Sequence, residues 1–120
     1  MTNAEVQQIA KQTMDFIKLQ IKVGMSLQEL RQIAESKMLS LGATSFWYWD
    51  IGAFVFSDDD TSLSVSGKHY QTANTLIKVN DIITIDLSPQ VGNIWGDYAR
   101  TIIIENGVVV DDINKISKAE

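Results

Sequence analysis

Asn80-Asp81-Ile82-Ile83-Thr84-Ile85-Asp86-Leu87-Ser88, followed by Ile94-Trp95-Gly96-Asp97-Tyr98-Ala99-Arg100-Thr101-Ile102-Ile103-Ile104-Glu105, is the stretch that decides the fold. Both runs are dense in residues that suit a pleated strand. Pro89-Gln90-Val91-Gly92-Asn93 between them has the composition of a turn, so the two runs read as an antiparallel hairpin. Each run also holds an aspartate, a poor strand former, inside it. If the chain folds back about Val91 and Gly92, partner numbers sum to about 183 and Asp86 faces Asp97. Facing carboxylates repel, and a hard divalent cation between them offsets the repulsion. On ligand chemistry alone, Mn²⁺ or Mg²⁺ suits such a site better than Zn²⁺ or Cu²⁺. The competing reading has one aspartate at a sheet edge and the other neutralised by Arg100 or Lys68. A register slip of one residue would also put the two on opposite faces.

Upstream of the hairpin the hydrophobic period is helical. Val6, Ile9, Ala10, Met14, Ile17 and Ile21 recur at three- and four-residue spacings, which predicts a helix from Thr2 or Asn3 to about Val23, ended by Gly24. Ser26-Leu27-Gln28-Glu29 fits a capping box, and Leu30, Ile33, Ala34, Met38 and Leu41 form the next apolar stripe before Gly42. The pair reads as an antiparallel helical hairpin. From Ser45 to Phe56 the chain is aromatic and reads as strand and loop. Ser57 to Ser62 reads as a polar loop, Leu63 to Val65 as a short strand, and Ser66 to Tyr70 as a turn. Asn106-Gly107 predicts a tight turn into Val108-Val109-Val110. The expected fold class is α+β, one domain over residues 1–120, with a helical hairpin packed on an antiparallel sheet.

Composition narrows the chemistry. The chain has 120 residues, enough for one domain with a real core. With no cysteine, a disulfide framework, a thiolate metal site and a cysteine nucleophile are all excluded. A single histidine excludes any site that needs two from this chain. Fifteen acidic against ten basic residues, a net charge of −5, argue against nucleic acid or an anionic membrane as partner. No stretch reads as a targeting segment or a membrane span, so a cytoplasmic protein is expected.

The hairpin resembles the metal-binding hairpin of the methionine aminopeptidase, aminopeptidase P, prolidase and creatinase family, which has the pita-bread fold. The likeness lies in the Asp-terminated apolar strand from Asn80 to Asp86, with Asp97 eleven residues later and Arg100-Thr101 beyond it. Asn80 stands where that family usually has Gly. Gly67-Lys68-His69-Tyr70 is similar to the family's His-Tyr element, and Gly24-Met25-Ser26 with Glu29 to its inter-helix turn. The resemblance implies that Asp86 is a bidentate metal ligand and that Asp97 bridges two divalent ions, Mn, Co or Zn. It implies His69 as the catalytic, substrate-side group at the scissile carbonyl, with Arg100 and Thr101 supporting the ligands. The alternatives for these three are a surface histidine and ordinary strand pairing. Trp47, Tyr48, Trp49 and Trp95 are candidates for a substrate pocket, against the commoner role of aromatic residues as core.

The same resemblance says what is missing. The family completes its metal pair with one His and two Glu from a second half of the fold, and beyond Arg100 this chain has no His. Metal binding by this chain alone is therefore expected to be weak or absent, and peptidase activity poor or nil. Three readings stay open: the amino-terminal half of a metal-dependent (Xaa-Pro type) aminopeptidase, acting on peptides once completed; a half-fold that forms a homodimer or joins a complementary half; and a non-catalytic relative that binds other proteins.

Overall fold

Among the described residues, the periodicities of the sequence become two helices and seven short strands in a computed structural model. The structure describes residues 2–48, 50–57, 72 and 74–110. His69, Lys68, Trp49 and the expected strand at Leu63 to Val65 lie outside the described residues.

Helix α1 (Asn3–Gln20) starts at Thr2, whose hydroxyl accepts the Glu5 N–H while the Glu5 carboxylate accepts the Thr2 N–H. This reciprocal pairing is a full capping box, and it satisfies two otherwise orphaned donors. Helix α2 (Leu27–Ser40) has only half of one. The Ser26 hydroxyl accepts the Glu29 N–H, but it donates to the Glu29 carboxylate instead of receiving the return bond on its own N–H. The first helix also stops earlier than its apolar stripe suggests: Ile21 is already extended, and Gly24, at φ +89°, makes a separate turn. The reason is tertiary. The Gly24 N–H donates to Ile77 O, and the Ile77 N–H to Met25 O, so the link between the helices pairs with the 74–78 segment and cannot remain helical.

The strands are β1 (Ser45–Phe46), β2 (Ala53–Phe56), β3 (Asp81–Leu87), β4 (Pro89–Val91), β5 (Ile94–Trp95), β6 (Tyr98–Glu105) and β7 (Val108–Val110). They form a four-stranded antiparallel sheet in the order β2-β3-β6-β7 and a three-stranded one in the order β1-β4-β5. Asn106 and Gly107 both have positive φ, +53° and +77°, the geometry of the turn that an Asn-Gly pair favours.

Alternation along β3 sorts its residues cleanly. Ile83, Ile85 and Leu87 are fully buried and meet Ile9, Met14, Ile17, Leu30 and Met38 of the helices, with Ala53, Val55, Ile102 and Ile104 from the neighbouring strands. Helices therefore cover one face of the sheet. The other face carries Ile82, Thr84 and Asp86 of β3, which lie across from Ile103, Thr101 and Ala99 of β6. Among the described residues, no helix is long and apolar enough to cross a membrane.

The hairpin register differs from the expected one. Partner numbers sum to 185, so Asp86 lies across from Ala99, not Asp97. The turn is Gly92-Asn93, with Gly92 at φ +57°, while Pro89 to Val91, expected in the turn, is strand β4. Glycine takes the positive-φ place and Pro89 sits at the start of a short strand, where its missing N–H costs nothing. The displacement is two residues, an even number, and so every side chain keeps its face.

Candidate metal centre

Asp86 lies in the middle strand of the hairpin half of the sheet, between Phe54 of β2 and Ala99 of β6. Asp97 is two residues before Ala99 and is therefore the diagonal neighbour of Asp86 on the same face. Thr101, two residues after Ala99, is the other diagonal neighbour. The two carboxyl groups come within hydrogen-bond reach of each other. Asp86 is pushed up to about 7, first by burial, then by its hydrogen bond with Asp97 and by the negative charge of that group. Burial is supplied in part by Phe54, itself only 7% exposed. A carboxyl beside an aromatic ring and a second carboxyl holds a proton or a cation more readily than it stands ionised alone.

Asp97 is fixed by its backbone. It occupies the gap between β5, which ends at Trp95, and β6, which starts at Tyr98. Its N–H donates to Gln7 Oε1 at 2.9 Å, and its carbonyl accepts from Gln7 Nε2 at 2.6 Å. The preceding Gly96 donates to Pro89 O, and its carbonyl accepts the Trp47 Nε1–H at 2.7 Å. A Cβ on Gly96 would stand 3.0 Å from Val6 O and 3.1 Å from Pro89 Cγ, so α1 lies hard against this peptide. Trp47 stacks on Trp95 with ring centroids 5.6 Å apart, and Tyr48 bridges from Trp47 to Phe54. The aromatic residues thus form a continuous run of rings on the way to Asp86, with Trp95 61% exposed at its outer end.

Of the residues singled out in the sequence, Asp86, Asp97 and Thr101 share one face and one neighbourhood. Arg100 does not join them. It lies across from Ile85, on the helix-side face, where its guanidinium sits 4.1 Å over the Tyr98 ring and donates to Ala99 O. His69 lies outside the described residues. Gln7 carries no signal in the sequence: it is one polar residue of an amphipathic helix, 90 positions from the aspartate it holds.

The donor set fits part of a divalent site. Two carboxylates on one face, one of them with a raised proton affinity, are hard oxygen ligands of the kind that such ions take. Among the described residues, no group of three or more His, Asp or Glu side chains gathers in one place. Asp86 and Asp97 would hold the ion from one side, and the ion would supply Lewis-acid activation of water.

Comparison with known proteins gives this geometry its context. No curated protein matches the chain. Among solved structures, the chain is similar to an X-Pro aminopeptidase from Thermotoga maritima (TM-score 0.73, 21% identity) and an Xaa-Pro dipeptidase from Bacillus anthracis (TM-score 0.71, 24% identity). Each likeness covers 95% of this chain and 30% of that one. A prolidase from Pyrococcus furiosus is similar over 82% of this chain and 29% of its own, with a TM-score of 0.69 and 21% identity. The chain thus folds like one part of these pita-bread proteins, over less than a third of their length. Residues 3–118 match metallopeptidase family M24, and the chain belongs to that family.

Proposed function

We propose that this chain supplies the aspartate half of a metal-dependent aminopeptidase or dipeptidase site of the Xaa-Pro type. The observation that carries the reading is the adjacency of the Asp86 and Asp97 carboxyls on the sheet face opposite α1 and α2 in a member of family M24. In this reading Asp86 and Asp97 ligate the metal, Asp97 bridging two ions, and Thr101 helps to orient the carboxylates. His69 meets the scissile carbonyl of a peptide whose second residue is proline. The remaining ligands come from a complementary half or from a second copy of this chain. Such a partner would face Ile82, Thr84 and Asp86 on the side of the sheet opposite α1 and α2.

The test has two stages. Mn²⁺ should raise the melting temperature of the chain, weakly alone and more with a complementary half, and Asp86→Asn should abolish the rise; no rise in either the unaltered chain or its assembly with a complementary half would sink the metal reading. Cleavage of the residue ahead of proline should then appear only when a complementary half is added. Activity that survives Asp97→Ala would remove Asp97 from its assigned place.

A further inference from the structure

Asp97 has no strand partner, although it stands in the middle of a hairpin. After the Gly96 N–H, which donates in register to Pro89 O, the ladder lapses, and two side chains from outside the sheet serve the Gly96 carbonyl and the Asp97 peptide. Gln7, on the first full turns of α1, offers its primary amide as a substitute peptide. Its Oε1 accepts the Asp97 N–H and its Nε2 donates to the Asp97 carbonyl, the two-point pairing that a neighbouring strand would give. Trp47, just after β1, donates its indole N–H to the Gly96 carbonyl, and its stacking on Trp95 sets the plane of the indole. The Gly96 N–H completes the set by donating to Pro89 O. All four polar groups of the two residues are therefore satisfied, three of them by Gln7 and Trp47.

An aspartate carboxyl lies only two torsions from its Cα, so the placement of the backbone passes almost undiminished to the oxygen atoms. Metal ligation tolerates errors of about 0.2 Å in ligand distance. A peptide in a ladder gap, with nothing to hold it, would not keep that tolerance. The absence of room for a Cβ at Gly96 shows the same demand from the other side, since α1 can reach Asp97 only by lying against a residue without a side chain.

We propose that Gln7 and Trp47 are positioning residues for the Asp97 carboxylate, so that helix α1 and the turn after β1 set the cation affinity of the Asp86–Asp97 pair. The inference rests on the reading of that pair as a metal site. It concerns residues whose hydrogen bonds go to the backbone of Gly96 and Asp97, not to a carboxylate oxygen.

The experiment measures Mn²⁺ binding to the chain by electron paramagnetic resonance, and exchange of the Asp97 amide hydrogen by NMR. Gln7→Met keeps the length of the side chain and removes both hydrogen bonds. It should raise the Mn²⁺ Kd roughly tenfold, as loss of a ligand-orienting partner does, and should speed Asp97 amide exchange by a similar factor. Gln8→Met, the same change one exposed position along the helix, should leave both readouts unmoved. Trp47→Phe keeps a stacking ring and removes only the bond to Gly96, so a roughly threefold rise in Kd is expected, below the range for a full ligand-orienting partner. Should Gln7→Met fail to fold, Trp47→Phe alone decides. Equal Mn²⁺ affinity in the folded variants, with the Asp97 amide still protected, overturns the inference and leaves the metal reading intact. Failure of the unaltered chain to take up Mn²⁺, both alone and together with a complementary half, overturns the metal reading and the inference with it.

Discussion

Strand β3 carries two aspartates five residues apart, and their surroundings could hardly differ more. Asp81, at the strand's first position, is only 5% exposed, and its carboxylate accepts the N–H groups of Lys78 and Ile82. Asp86, near the other end, meets a second carboxyl and an aromatic neighbour, and its proton affinity is raised. Both are acidic groups at least partly withdrawn from water, but among the described residues only the first meets backbone donors that offset the cost of burial. Asp81 spends its charge on closing a turn. Asp86 keeps its charge uncommitted, at a cost in stability, and that is the usual mark of a group held for a ligand.

The sharpest way to break this contrast is Asp81→Ala. It removes the side-chain acceptor of two N–H groups in a part-buried turn and should cost about 1–3 kcal/mol of stability, read as a lower urea midpoint. Asp86→Asn should do the reverse in the metal-free protein. Because the folded state holds the Asp86 proton up to about pH 7, whereas an unfolded aspartate releases it near pH 4, this group favours folding less as pH rises between those values. The contribution is fully present below about pH 4, is lost through about pH 7, and stays flat above. Asp86→Asn should therefore gain stability over the unaltered chain between pH 5 and pH 8, by about 1–2 kcal/mol once partial exposure to solvent is allowed for. Urea melts across that range would show it, and parallel curves for the two proteins would refute it. Asp97→Asn should give a shallower pH dependence, since it removes two of the three causes of the shift and leaves burial.

The smallest effect should come from Arg100→Ala. The guanidinium stacks on Tyr98 on the helix-side face, so its loss should cost about 0.5 kcal/mol and leave Mn²⁺ affinity unchanged. A clear fall in affinity would return Arg100 to the carboxylate pair.

Much of this was legible in the residues because it is periodic. The apolar stripes of α1 and α2, the alternation of β3 and the Asn106-Gly107 turn follow from repeats of three to four, of two, and from one dipeptide. The family likeness was legible from the spacing of Asp86, Asp97 and Thr101. The register was not, because both Val91-Gly92 and Gly92-Asn93 make acceptable turns and local chemistry does not choose between them. The face of the pair nonetheless came out correctly, since the two alternatives differ by an even step. Arg100 falls on the face away from the pair for the complementary reason: three residues from Asp97 along a strand is an odd step, and it crosses the sheet. Asn80 departs from the family's usual Gly, and the structure gives it work, for its Oδ1 accepts the Asn106 N–H where the β6–β7 turn meets β3. The hold of Gln7 and Trp47 on Gly96 and Asp97 had no pattern to betray it.

The pairing of Gln7 with Asp97 also has a consequence in time. It joins positions 90 apart, near the two ends of the described chain, and contacts of that separation carry a large loop-closure cost. Helix α1 leaves the ribosome long before Asp97 is made, so the amide of Gln7 must wait in water for its partner. The two carboxylates can come to rest only after the first helix has docked on the last hairpin. Metal uptake would then report that the chain has finished folding, and a nascent or partly folded chain would have no site to fill.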